Sequence, residues 1–295
     1  MIAAPQLGLV FLAMTKCAST AIEDELFEYS QLVTRKNPSL KHMHYRGFQR
    51  FIAPMLRRHG HPRDSYEVVC VMREPISWLH SWWRYRGRPQ LANAAGPRRR
   101  NYTGDISFEQ FVQAYIAQNE TYATSVGRQA NFVRGPNDQI VGVDRLFRYE
   151  ELDSFVDYAS ERVGRPLRLE KVNVSPKTRL KLPRSTRREL QEFLATEYYI
   201  YETLANGQPI DIPAPDVADD SDELDLSDLD DTNEVDVSDL DDTNEAAVTD
   251  RADDDRAAAE RAGRRGNGFG PRVVPAEEPV PVPTAAASTA GRRGR

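Results

Sequence analysis

Apolar residues fall along this chain in two kinds of run. Residues 7–13 (Leu-Gly-Leu-Val-Phe-Leu-Ala) and 66–72 (Tyr-Glu-Val-Val-Cys-Val-Met) are short and almost continuously apolar. That pattern predicts strands buried on both faces. Residues 139–143 (Gln-Ile-Val-Gly-Val) predict a third strand. Between them the apolar positions recur at helical spacing. A helix is expected over 20–33, with Ala21, Ile22, Leu26 and Tyr29 on one face, and another over 45–58, with Phe48, Phe51, Ile52, Met55 and Leu56 as its stripe. Pro75 is a favoured first-turn residue and opens a helix through Trp78, Leu79, Trp82 and Trp83. Ser107 and Gln110 form a capping-box pair ahead of Phe108, Phe111, Val112 and Tyr115. Residues 151–164 predict a helix closed by Gly164 and Pro166. Residues 185–204 predict a last amphipathic helix, and the Arg/Pro/Gly-rich stretch 84–100 predicts a mobile basic loop. Strands alternating with helices imply an α/β domain with a mostly parallel central sheet flanked by helices. Ligands of such sheets bind outside the carboxyl ends of the strands.

Charge divides the chain. Residues 1–210 hold 30 Lys+Arg and 22 Asp+Glu, a balance of +8; residues 211–295 hold 9 and 23, a balance of −14. After Tyr201 the only aromatic residue is Phe269. A segment with so little to bury cannot offset its ordering entropy. One folded domain over 1–210 and a disordered acidic tail over 211–295 are therefore expected. The tail repeats an eleven-residue unit: Leu224 to Glu234, then Val235 to Glu245. Its carboxylates lack the glycine and terminal glutamate placement of a calcium loop, so no metal is expected there. A Pro-rich stretch (275–283) and a Gly/Arg-rich end follow.

The basic domain points to an anionic ligand. Two cysteines, Cys17 and Cys70, cannot make a disulfide framework and fit a reducing compartment. The apolar run near the start has no basic leader, carries Pro5 and is too short to span a bilayer. A cytoplasmic location without a transmembrane segment is expected.

Two segments carry candidate chemistry. Thr15-Lys16-Cys17-Ala18-Ser19-Thr20 joins a predicted strand to a predicted helix. The unpaired first amides and dipole of such a helix favour an anion, Lys16 adds a full charge, and Ser19 and Thr20 add hydroxyl donors. The segment is not a Walker A loop: the Gly-x-x-x-x-Gly-Lys spacing is absent, which argues against ATP. The second segment, Arg73-Glu74-Pro75-Ile76-Ser77-Trp78-Leu79-His80-Ser81, follows the other strong strand. Arg73 can grip a phosphate bidentately, and Ser77 and Ser81 share one helix face. Trp78 and Trp82, one turn apart, are expected in the core.

Taken together these segments resemble the PAPS-dependent sulfotransferases (PAPS, 3′-phosphoadenosine 5′-phosphosulfate), in particular the carbohydrate-type branch. Lys16-Cys17-Ala18-Ser19-Thr20 is similar to their 5′-phosphosulfate loop, and Arg73 through Ser81 to their 3′-phosphate motif. Arg148-Tyr149-Glu150-Glu151-Leu152 and Val172-Asn173-Val174-Ser175 resemble two later segments of the family, in the expected order. The resemblance implies a P-loop-like α/β fold and transfer of a sulfuryl group from PAPS to an acceptor hydroxyl, leaning toward a carbohydrate, with PAP as product and no metal. It implies that Lys16, Cys17, Ala18, Ser19 and Thr20 bind the 5′-phosphosulfate, with Lys16 assisting catalysis, and that Arg73 and Ser81 bind the 3′-phosphate. His42-Met43-His44-Tyr45-Arg46-Gly47-Phe48 resembles the His-x-x-aromatic-x-x-Phe segment of uronyl-type 2-O-sulfotransferases. This makes His42 the first choice for the general base and His44 the second; His80 is expected to face away from Ser81. Two alternatives stand beside this: a PAPS- or PAP-binding protein without catalysis, and a degenerate P-loop kinase using ATP and magnesium. A nucleic-acid partner is not expected, because the run 84–100 lacks interleaved stacking aromatics.

Overall fold

The computed structural model describes residues 1–93, 97–119, 124–137, 139–170 and 180–211. The Asn173–Ser175 motif and the acidic repeat lie outside the described residues. Five strands form one sheet: β1 (Ile2–Ala4), β2 (Leu9–Leu12), β3 (Leu32–Val33), β4 (Glu67–Met72) and β5 (Arg145–Arg148), in the order β3-β1-β2-β4-β5. Strands β2, β4 and β5 run parallel, whereas β1 is antiparallel to both β2 and β3. The sheet is therefore mixed, and only its β2-β4-β5 half has the parallel arrangement expected.

The two strands with continuous apolar sequence, β2 and β4, both have neighbours on both sides, as does the short β1. All of β2 is buried, and so is β4 after Glu67. Helices cover them. The Leu152–Val163 helix sends Phe155 against Phe11 of β2 and Phe147 of β5, with ring centroids 5.5 and 5.4 Å apart. The Pro75–Arg86 helix packs on the Phe108–Ile116 helix through Trp83 and Phe108, 5.7 Å apart. The capping box at Ser107 forms in both directions, and Gly164 closes its helix at φ 79°, a left-handed backbone that suits glycine.

Several local expectations are corrected. The helix over 20–33 stops at Leu26, continues as a single 3-10 turn (Phe27–Tyr29) and then enters strand β3. Backbone pairing explains this: Gln31 donates to Ala3 and Thr34 to Met1, so sheet bonds replace helical ones. The third strand is Arg145–Arg148, not 139–143. Val141 and Val143 are still buried, but Gly142 donates to Val133 across a turn. Arg145 pairs with Val69 in the ladder and meets Glu67 at 2.9 Å, so charged ends do not disqualify this strand. The stretch 84–100 is helical over most of its described residues, continuing the Pro75 helix to Arg86 and adding short turns at Pro89–Ala92 and Pro97–Arg100. The last helix is broken into Arg184–Phe193, Ala195–Tyr199 and a wider turn at Ile200–Leu204.

The helix over 45–58 contains a widened turn at Phe48–Ile52. Pro54 has no N–H to return to the carbonyl four residues earlier, and the turn before it opens to a five-residue span. One extra residue per turn shifts the phase of the helix. Phe48 and Leu56 stay buried, while Phe51 and Met55, expected inward, face out. No helix among the described residues is long and apolar enough to cross a membrane.

Candidate anion-binding site

Parallel pairing fixes the position of the site. Leu12 of β2 lies beside Cys70 of β4, and Met72 of β4 beside Arg148 of β5. The chain segments that leave β2, β4 and β5 therefore emerge along one edge of the sheet. They carry Lys16, Arg73 and Tyr149.

The first segment turns sharply. Lys16 and Ala18 take left-handed backbone conformations, with φ 63° and 59°. For residues with a Cβ each costs about 1–2 kcal/mol, so the surroundings must hold the turn. The indole N–H of Trp78 donates to the carbonyl of Thr15 at 2.9 Å, and Arg73 donates to the carbonyl of Lys16 at 3.4 Å. Ala18 is the N-cap of the Ser19–Leu26 helix and offers no capping side chain. The first amides of that helix are thus not taken up by a cap, as an anion-binding helix end requires. Ser19 is buried, and the Thr20 hydroxyl lies 3.5 Å from Lys41 Nζ.

The second segment is built around Arg73. Its Nε donates to the Ser77 hydroxyl at 2.9 Å, and its guanidinium packs over the Tyr149 ring, 4.4 Å from the centroid. Glu74 caps the Pro75–Arg86 helix by accepting from Ser77 N–H at 2.6 Å, and also accepts from the Tyr198 hydroxyl at 2.6 Å. Ser81 is buried one turn beyond Ser77. Gln129 joins the two segments. Its side-chain oxygen accepts from the Arg73 N–H at 3.1 Å, its NH2 donates to the Arg73 carbonyl at 2.9 Å, and the Cys17 thiol lies 3.8 Å away. Gln129 is buried, so both backbone groups of Arg73 are held by one amide.

Electrostatics give the edge its character. Burial, reinforced by Arg88, Arg73 and Arg84, pushes the Lys16 ammonium down to about 7. No carboxylate forms an ion pair with Lys16 or Arg73 among the described residues. Lys16 Nζ instead packs 3.8 Å from the Tyr85 ring centroid, and the Arg88 guanidinium lies 3.6 Å from the same centroid. Nearby, the indole N–H of fully buried Trp82, 5.9 Å from Lys16 Nζ, has no hydrogen-bond partner among the described residues. Like charges crowded and partly desolvated are unfavourable unless an anion joins them.

The histidines separate clearly. His42 ends the Pro38–Lys41 turn, and its Nδ1 lies 2.6 Å from the carbonyl of Ala13, at the end of β2. A carbonyl only accepts, so Nδ1 carries the proton and Nε2 keeps a free lone pair. Burial pushes its imidazole down to about 3 despite this hydrogen bond, and Lys41 and Lys16 add to the effect. His44 uses Nδ1 to accept from Gly47 N–H at 3.1 Å as an N-cap. His80 stacks on Trp83 and meets Phe108 edge-on. Of the three, His42 is the one joined to the strand that leads into the Lys16 turn.

Lys16, Cys17, Ala18, Ser19, Thr20, Arg73 and Ser81 all lie in the two segments at this edge. Cys17 is inward and buried, and burial raises its thiol well above its ordinary value, so what it can present to a ligand is its backbone. Trp78 and Trp82 are core residues, as expected, but Trp78 also holds the turn. Gln129, Tyr85 and Arg88 escaped the sequence reasoning. For Gln129 no local pattern exists: it lies 56 residues from Arg73. No family model, no curated protein and no solved structure matches the chain.

Proposed function

We propose that the protein is a PAPS-dependent sulfotransferase with a P-loop-like donor site, acting on an acceptor hydroxyl, with a sugar as the preferred class. The observation that carries this is the cluster of Lys16 and Arg73 beside Arg84 and Arg88, on two strand-end segments joined by Gln129. PAPS carries two anionic groups, and each segment offers a cationic side chain, Lys16 and Arg73. The Lys16 turn and the first amides of the Ser19 helix suit the 5′-phosphosulfate. Arg73 and Ser81 suit the 3′-phosphate.

Sulfuryl transfer is a loose in-line displacement, in which positioning and charge neutralisation matter most. The acceptor oxygen forms a bond to sulfur while the bond from sulfur to the bridging phosphate oxygen breaks. Lys16 neutralises the charge that builds on the departing phosphate. The acceptor proton passes to Nε2 of His42, the lone pair left free by the Nδ1 bond to Ala13. A base held near 3 is weak. Entry of a multiply charged anion raises it, because negative charge favours the imidazolium. The same low basicity is the observation that favours the second reading, a PAP- or PAPS-binding protein without turnover.

One experiment separates these. PAP binding is measured by calorimetry, and turnover with PAPS is measured on a panel of sugar acceptors, for wild type, Lys16→Ala, Arg73→Ala and His42→Ala, with ATP/Mg²⁺ as control. Tight PAP binding weakened by the first two substitutions supports the donor site. Loss of turnover in His42→Ala with PAP affinity near wild type supports the base. Preference for ATP/Mg²⁺ would sink the reading and bring the kinase alternative forward.

A further inference from the structure

The helix over 45–58 presents outward what its sequence pattern expects inward. Phe51 is 50% exposed and Met55 36%, one turn apart on the same face. Arg57 and Arg58 are exposed, Arg58 one turn after Met55, and the Arg50 guanidinium packs 5.6 Å from the Phe51 ring centroid. Residues 29–63 contain eight Lys or Arg and no Asp or Glu, although the whole chain is net −6. Arg35, Lys41 and Arg63 of this set pair with Asp24, Glu23 and Asp144 from neighbouring segments, which leaves the arginines of the helix itself as its cationic surface. Exposed apolar side chains gain little in water, and the phase shift at Pro54 has put two of them on a guanidinium-rich surface. A helix of this kind has the chemistry of an interfacial segment: aromatic and thioether side chains enter the boundary of the acyl chains while arginines meet anionic headgroups. Duplex nucleic acid would engage the arginines but offers no hydrocarbon to Phe51 and Met55.

We propose that this helix is a docking surface for an anionic lipid membrane. It is independent of the donor site, so it stands or falls separately from the proposed function. The net negative charge of the whole chain opposes general adsorption to anionic lipid, so attachment has to come from a local surface.

The test is flotation of the full chain with vesicles of phosphatidylcholine alone or in equal mixture with phosphatidylglycerol. Binding to the mixed vesicles only is expected. The surface double variant Phe51→Ser/Met55→Ser should lower it at least about tenfold while melting temperature and PAP affinity stay unchanged. Arg58→Glu, a variant that leaves the apolar pair in place, should also weaken binding and reduce its dependence on salt. Absence of vesicle binding, equal binding by the double variant, or equal binding to phosphatidylcholine alone would each overturn the proposal. So would sedimentation showing that Phe51 and Met55 hold two copies of the chain together.

Discussion

The two ends of the β2-β4-β5 strands treat charge in opposite ways. At the amino end of β4, Glu67 receives Arg145 at 2.9 Å, the Tyr158 hydroxyl at 2.7 Å and Arg162. Arg162 also donates to the carbonyl of Gly8 at 2.8 Å, and Arg63 meets Asp144 at 2.7 Å next to the same strand ends. Burial works against the Glu67 carboxylate, yet hydrogen bonds from Arg145 and Tyr158 hold it below its ordinary value. At the carboxyl end, Lys16 is surrounded by Arg88, Arg73 and Arg84, and its charge is disfavoured. One end is electrostatically complete; at the other Arg148 meets Glu151 at 3.2 Å, but Lys16 and Arg73 have no ion pair among the described residues. Compensated charge maintains a fold, whereas uncompensated charge of one sign, on backbone held in a demanding conformation, is what a ligand site retains at the expense of stability.

Three substitutions or conditions can break that comparison. The largest effect is expected from Glu67→Ala, which strands two guanidiniums and a phenol together. Stability should fall by about 2–4 kcal/mol, read by urea denaturation, while PAP affinity of the folded fraction is unchanged. A change in PAP affinity without loss of stability would reverse the roles assigned to the two ends. Next is Lys16→Met. Removing a crowded, desolvated ammonium should raise stability by roughly 1–2 kcal/mol while weakening PAP binding about tenfold to a hundredfold. If Lys16→Met is less stable than wild type, the carboxyl end is not electrostatically incomplete. The smallest effect is the pH dependence of wild type. In the free protein Lys16 is charged below about 7 and neutral above it. An anion binds the charged form, so PAP affinity should fall as pH rises beyond 7, by at most about tenfold per unit. It should level off at the pKa of the ligand-bound lysine. Calorimetry above pH 7 should show proton uptake on binding, and Lys16→Arg should flatten the profile. Affinity that does not vary in wild type over this range counts against a titrating Lys16.

How much could be read beforehand varies with the physical cause. Strands β2 and β4 were legible because a strand of this length buried on both faces demands continuous apolar sequence. The helix at Pro75 and the capping box at Ser107 were legible because their signals are local. Strands β1 and β3 have three and two residues, and pairing with each other and with β2 decides them. Strand β5 carries arginines at both ends, and they become acceptable once Glu67, Glu151 and the carbonyls of Tyr201 and Glu202 are beside them. The phase of the 45–58 helix turned on one proline in the middle of a pattern that otherwise read well.

The sequence by itself determined the residues of the two candidate anion segments, their order and their place after apolar strands, because strand, turn and helix start are each encoded within a few residues. Tertiary structure alone decided that these segments share one sheet edge, that Gln129 joins them and that Arg88 and Tyr85 crowd Lys16. It also tied His42, the first choice from the sequence, to the strand that leads into the Lys16 turn, through the carbonyl of Ala13. Such facts depend on contacts between residues tens of positions apart. Parallel strand pairing creates them, and no local pattern of polar and apolar residues encodes them.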